Sequence, residues 1–154
     1  MQVLSAFAGF RFPPEVILLA VRWHLRYALS YRDLEEVLAE SGIDVDHVTL
    51  FRWVQRFTPE LIDAARPGRH QVGARWFVDE TYMKVAGAWR FFTTALAAHR
   101  PPVEVITDRA AVLANVIRGH AFIQNLRQGH FELGIDTVPI YRLATAFDEL
   151  QLAI

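Results

Sequence analysis

The sequence predicts an α/β (α+β) chain that is helix-rich overall, with a three-helix bundle first, few strands after it, and helices to close. Three observations predict it. Apolar residues recur at helical spacing up to about residue 57. A break at Arg66-Pro67-Gly68-Arg69-His70-Gln71-Val72-Gly73 then interrupts the pattern with a proline and two glycines. Beyond it, runs rich in β-formers at 76–85 and 103–107 flank an ambiguous stretch before helical periodicity returns.

Taken in order, Pro13 and Pro14 suit a helix start, and Val16, Leu19, Ala20, Trp23 and Tyr27 form the stripe expected to face inward. Ser30, with Asp33 three residues on, reads as an N-cap for a helix that buries Leu34, Val37 and Leu38. Gly42 is a natural stop for that helix. Asp46 caps a third helix with Leu50, Trp53, Val54 and Phe57 at i, i+3, i+4 and i+7, and Pro59 marks its end or a kink. Trp76 through Val85 reads as a strand, which Ala86-Gly87 can turn into a hairpin. Val103 to Thr107 is a second strand, Asp108 through Ile117 a helix, and Tyr141 through Leu152 a helix with Leu143, Phe147, Leu150 and Ile154 on one face.

Composition excludes several classes. At 53% hydrophobic and 21% charged residues, 154 residues can bury a core, which excludes a disordered tail. There is no cysteine, hence neither a disulfide framework nor a thiolate zinc site, which suits a reducing cytoplasm. The longest purely apolar run, Val16 to Val21, falls far short of a membrane span, and no secretory signal is legible. A net charge of −1 argues weakly against a strong nucleic-acid binder. The basic residues are 15 Arg and the single Lys84, a bias read here as coding preference over phosphate recognition.

Two constellations carry chemistry. The second and third helices, joined through a Gly-containing turn, form a helix-turn-helix pattern. With the apolar stripe inward, Thr49, Arg52, Gln55 and Arg56 are left on the outer face, and these side chains suit phosphates and base edges. Between His47 and Val78 five Arg face only Glu60 and Asp63. Any small three-helix bundle also carries polar residues outside, and the turn from Ser41 to Val45 is longer than usual, so pattern alone leaves both readings open. The second constellation is Asp79, inside an apolar strand, and Asp108, where the second strand gives way to a helix. Side by side on parallel strands, two such carboxylates could hold Mg²⁺ for phosphodiester chemistry. The alternatives are that Asp108 caps its helix and that Asp79 lies at a sheet edge or pairs with Arg75 or Arg109. The six histidines show no HExxH or comparable pairing.

Several segments resemble one family. Phe10-Arg11-Phe12-Pro13-Pro14-Glu15-Val16-Ile17, Leu29-Ser30-Tyr31-Arg32-Asp33-Leu34-Glu35-Glu36 and Asp46 through Phe57 are similar to the N-terminal region of bacterial DDE transposases of the insertion-sequence-six family. Trp76-Phe77-Val78-Asp79-Glu80-Thr81-Tyr82 resembles the strand bearing that family's first catalytic aspartate, Thr107-Asp108-Arg109-Ala110 the segment bearing its second, and Gly119 through His130 its C-terminal stretch.

The resemblance implies a helix-turn-helix region over 1–70, a truncated ribonuclease-H-like core over 71–118 and a C-terminal helical remnant over 119–154. It implies Asp79 and Asp108 as catalytic ligands of Mg²⁺ (or Mn²⁺), while the outward facing of the third helix makes Thr49, Arg52, Gln55 and Arg56 the expected DNA contacts. The partner implied is double-stranded DNA at terminal inverted repeats, in a cytoplasmic, nucleoid-associated protein that forms homo-oligomers or pairs with a full-length transposase. The sequence also departs from the family. Central strands are missing where a helix is expected to begin near Phe91, and a second jump falls around Ile117-Arg118. The third catalytic acid, a Glu on a helix followed by basic residues, is absent; Glu149 is spaced plausibly but no Lys or Arg follows it. The expectation is an internally deleted transposase that binds element ends without cleaving or joining DNA. The alternatives are a stand-alone DNA-binding regulator and a decaying gene product that does not fold. The 84 residues after residue 70 are few for a complete catalytic core.

Overall fold

The computed structural model describes residues 5–70, 77–85, 88–96 and 111–154, with side chains described over 5–70 and 115–154. The elements run α1 (Pro14–Tyr27), α2 (Tyr31–Glu40), α3 (His47–Ala65), a short 3-10 turn (Arg66–Gly68), β1 (Phe77–Val85), β2 (Ala88–Leu96), α4 (Ala111–Arg127) and α5 (Arg142–Gln151). The chain is helix-rich, with the expected helical N-terminal region. Among the described residues no helix is long and apolar enough to cross a membrane.

Local chemistry sets the helix ends. Ser30 and Asp33 form a reciprocal capping box, with the Asp33 amide donating to Ser30 Oγ at 3.1 Å and the Ser30 amide donating to Asp33 Oδ2 at 3.2 Å. At the other end of α2, Gly42 takes φ +81°. There its amide donates to the Ala39 carbonyl and the Ile43 amide donates to the Leu38 carbonyl, the pair of bonds that closes a helix at a left-handed residue. Asp46 Oδ1 accepts from the amides of Val48 and Thr49, both at 3.0 Å, capping α3 as its sequence predicts. Helix α1 ends less favourably, on Ala28 at φ +52°, a position that usually falls to glycine.

Four expectations are corrected. The inward stripe of α1 is rotated: Ile17, Leu18, Ala20, Val21, His24 and Leu25 are buried, whereas Tyr27 is 60% exposed. The helix packs against α2, α3, α4 and α5, so its buried arc is wider than a single-sided pattern suggests. Helix α3 does not stop at Pro59 but runs through it to Ala65, because Leu61 and Ala65 extend the buried stripe. Residues 91–96 are strand, not helix, as the run Trp89-Arg90-Phe91-Phe92-Thr93-Thr94 favours. The helix expected over 108–117 is described from Ala111 and does not end near Ile117 but continues to Arg127.

Strands β1 and β2 form the anticipated antiparallel hairpin, with Asp79 opposite Thr94, Tyr82 opposite Phe91 and Val85 opposite Ala88. The strand read at 103–107 and the turn at Ala86-Gly87 lie outside the described residues.

The helices share one hydrophobic core. It joins Ile17, Val21 and Leu25 of α1, Leu34 and Leu38 of α2, and Leu50, Val54, Phe57 and Leu61 of α3 to Phe122, Ile123 and Leu126 of α4 and Phe147 and Leu150 of α5. Glycine at 119 permits this closeness, because a Cβ there would sit 2.6 Å from Leu25 Cδ2 and 2.9 Å from Thr58 Cγ2. Backbone bonds close the unit: the Ala6 amide donates to the Ile154 carbonyl at 2.7 Å, and the His70 amide to the His130 carbonyl at 3.0 Å. The segment after α4 thus pairs with the segment after α3, and the last 40 residues complete the core of the first 70.

Candidate nucleic-acid interface

Helices α2 and α3 meet at an angle fixed by polar contacts. Glu35 on α2 accepts from the His47 amide at 3.2 Å and lies 2.9 Å from His47 Nδ1, so it serves the first turn of α3 from another helix. The connection Ser41–Asp46 is filled by Val45, which is 5% exposed. Trp53 packs edge-on against Phe12, at 5.2 Å between ring centroids, bringing the N-terminal arm alongside α3.

The structure separates the four candidate DNA contacts. Arg52 is exposed on α3 and lines a groove of about 520 Å³ with Arg11, Thr49, Trp53, Asp44 and Asp46. Arg56 is also exposed, with its guanidinium 3.6 Å from Glu60 and lying over the rings of Phe10 and Phe57. Thr49 is half-buried, and its hydroxyl donates to Asp46 Oδ2 at 2.7 Å. This hydroxyl, followed by the Thr49 amide, holds the Asp46 carboxyl below its ordinary value, so the cap stays ionised. Gln55 points elsewhere: its Oε1 accepts from Asn115 Nδ2 on α4 at 3.3 Å. The outer face therefore presents Arg52 and Arg56, while Gln55 is directed toward the bundle.

Asp79 is placed only by its register on β1, opposite Thr94, and Asp108 lies outside the described residues. Glu149 has a different occupation. Its Oε1 accepts from the Gly134 amide at 3.1 Å, fastening the loop before α5.

Sequence reasoning missed Arg11, Glu35 and Asn115. Arg11 stands in a motif of aromatic residues and reaches the groove only because Phe7 and Phe10 pack on Phe57. Pro59 inside α3 is a local sign that a carbonyl needs a donor from elsewhere, but it does not identify Asn115 as that donor.

Beneath this face, His24 is buried, stacked on Tyr31 at 4.4 Å, with its Nδ1–H donating to the Leu29 carbonyl at 2.7 Å. Burial pushes its value below the ordinary 6.5, with His120 acting the same way and the Leu29 bond opposing both. A histidine whose value is depressed on folding stabilises fully above its unfolded value and loses that contribution as pH falls below about 6.5. Melting temperature is therefore expected to drop between pH 7.5 and 5.5. The drop should shrink in His24→Gln, and an equal drop in both proteins would show that His24 is not responsible. Within that window Glu15 and Asp46, whose carboxyls are held low, stay ionised in both states.

Comparison with known proteins agrees with the motifs. Over 102 residues the chain is 38% identical to the transposase for insertion sequence-like element IS431mec of Staphylococcus aureus (strain Mu50 / ATCC 700699), a match covering 66% of this chain and 46% of that protein. The same figures hold for the transposase for insertion sequence element IS257 in transposon Tn4003 of Staphylococcus aureus. The chain thus spans about half the length of the curated relatives it matches. No family model matches it, and no solved structure does. The similarity, with the motifs above, relates 102 residues of this chain to bacterial insertion-sequence transposases. The transposases that it matches are members of the insertion-sequence-six family.

Proposed function

We propose that this chain is an internally deleted transposase whose helix-turn-helix binds double-stranded DNA at the terminal inverted repeats of its element, without cleaving or joining it. The observation that carries the reading is the pair Arg52 and Arg56, exposed one turn apart on a capped α3 in a chain whose relatives are insertion-sequence transposases. Guanidinium groups so placed can reach phosphates and guanine edges from a helix lying in the major groove. Thr49 adds a side chain at the same end of α3.

In this reading β1 and β2 are the opening strands of a ribonuclease-H-like core cut short. Asp79 and Asp108 are the ligands that remain for Mg²⁺ or Mn²⁺, which in the intact family would activate the attacking oxygen and stabilise the leaving one. With no described side chain at either position, nothing in this chain's action is routed through the metal. Glu149 is occupied with Gly134 and does not supply the third acid. The protein would act in the bacterial cytoplasm at the nucleoid, alone, as a homo-oligomer or beside a full-length transposase.

One observation favours the second reading, a regulator that occupies element ends. The helices close a core of their own, using both ends of the chain, so a DNA-binding unit does not depend on a finished catalytic core. The same closed core speaks against a product that fails to fold. The test is a binding titration with duplexes ending in the terminal repeats, followed by a strand-transfer assay with Mg²⁺ or Mn²⁺. Binding without joined product is expected. Turnover that disappears in Asp79→Ala would overturn the claim that the deletions disable catalysis.

A further inference from the structure

Pro59 lies inside α3 and has no N–H, so the Gln55 carbonyl, four residues earlier, loses its intrahelical donor. The helix nonetheless continues to Ala65. Asn115, on α4, supplies the missing group. Its Nδ2 lies 3.2 Å from the Gln55 carbonyl oxygen, 3.3 Å from Gln55 Oε1 and 3.5 Å from the Val54 carbonyl oxygen. One carboxamide thereby satisfies the backbone gap left by the proline and turns the Gln55 side chain toward the bundle.

We propose that Asn115 is a positioning residue for DNA recognition: from α4 it braces the turn of α3 that carries Arg52 and Arg56, and so sets how those guanidiniums meet a DNA duplex. The inference rests on the reading that α3 binds element ends. Its physical basis is that Arg52 and Arg56 flank Gln55 on the same two turns, so a carbonyl left unpaired at 55 would loosen the backbone between them. Discrimination between sequences needs side chains held to a fraction of an ångström, whereas attraction to phosphates tolerates looseness. Loss of the brace should therefore cost preference for the element end more than general affinity.

The experiment compares the full chain with Asn115→Ala, Pro59→Ala and the double variant. Each is titrated with an end duplex and with a scrambled duplex of the same composition, and amide exchange is followed over residues 52–58. Asn115→Ala is expected to reduce the preference for the end duplex about five-fold, the scale of one hydrogen bond, and to speed exchange in that turn. Pro59→Ala, which returns an N–H to the Gln55 carbonyl, should restore much of both losses in the double variant. Unchanged exchange in Asn115→Ala overturns the brace, as does an equal loss on both duplexes that Pro59→Ala does not restore. If the unaltered protein shows no preference for the end duplex, the reading of α3 as the end-binding helix fails. The exchange data then still decide whether Asn115 holds the turn.

Discussion

Phe57→Ala is expected to lower the free energy of unfolding by about 3–5 kcal/mol, the usual range for truncating a fully buried aromatic ring. Phe57 is 0% exposed. Its ring stacks on Phe7 at 4.9 Å with an interplanar angle of 15°, and meets Phe10 at 5.2 Å and 56°. Removing it leaves a cavity where three segments meet, and the N-terminal arm loses the surface that holds it to α3. Net stabilities of small domains are only about 5–15 kcal/mol, so such a loss takes a large share of the total. Denaturant titration of the variant should show a midpoint well below that of the parent with an unchanged slope. Phe57→Leu, which keeps most of the volume, should cost roughly 1.5 kcal/mol or less. A loss for Phe57→Ala below about 1 kcal/mol, the centre of ordinary substitutions, would mean that Phe57 is not the keystone described.

Elements governed by neighbouring residues were legible in the sequence. The Ser30–Asp33 capping box, the Asp46 cap, the stop at Gly42 and the stripe Leu50, Trp53, Val54 and Phe57 depend on contacts within one or two turns, and all four are present. The stripe on α5 was read from the same kind of pattern: Phe147 and Leu150 are buried, with Leu143 and Ile154 packed beside them.

What required distant partners was not legible. The face of α1 depends on α4 and α5, whose packing is invisible in a pattern read one helix at a time. Where α3 passes Pro59, the Gln55 carbonyl accepts from Asn115, a donor 60 residues away that no local rule supplies. For the same reason Gln55 was assigned to the outer face although it faces α4. Regions 1–70 and 119–154 read as separate because a hairpin segment stands between them in sequence. In space the bonds from His70 to His130 and from Ala6 to Ile154 bring them together. For the candidate site, the motifs carried the family and the two arginines, and the geometry added the distinction between a free Arg52 and an engaged Arg56.

That distinction sets the last expected result. Arg52→Ala should weaken binding to an element-end duplex more than Arg56→Ala, and the double variant should abolish most specific binding. Among the described residues Arg52 forms no ion pair, so its full charge is available to DNA. Arg56 stands 3.6 Å from Glu60 and rests over two aromatic rings, so binding DNA must compete with contacts it already has. Each phosphate contact removed should flatten the dependence of log K on log salt by about 0.9, while a lost guanine contact costs roughly 1–3 kcal/mol against the correct base and leaves scrambled DNA unaffected. Titrations at several salt concentrations on end and scrambled duplexes separate the two. A changed slope with equal losses on both duplexes marks Arg52 as a phosphate contact, and a loss confined to the end duplex marks it as a base reader. Glu60→Gln sharpens the comparison: freed of its partner, Arg56 should bind more tightly to either duplex. If Arg52→Ala and Arg56→Ala both bind as the parent does, α3 is not the DNA-facing helix, and the groove it forms with Arg11 serves another purpose.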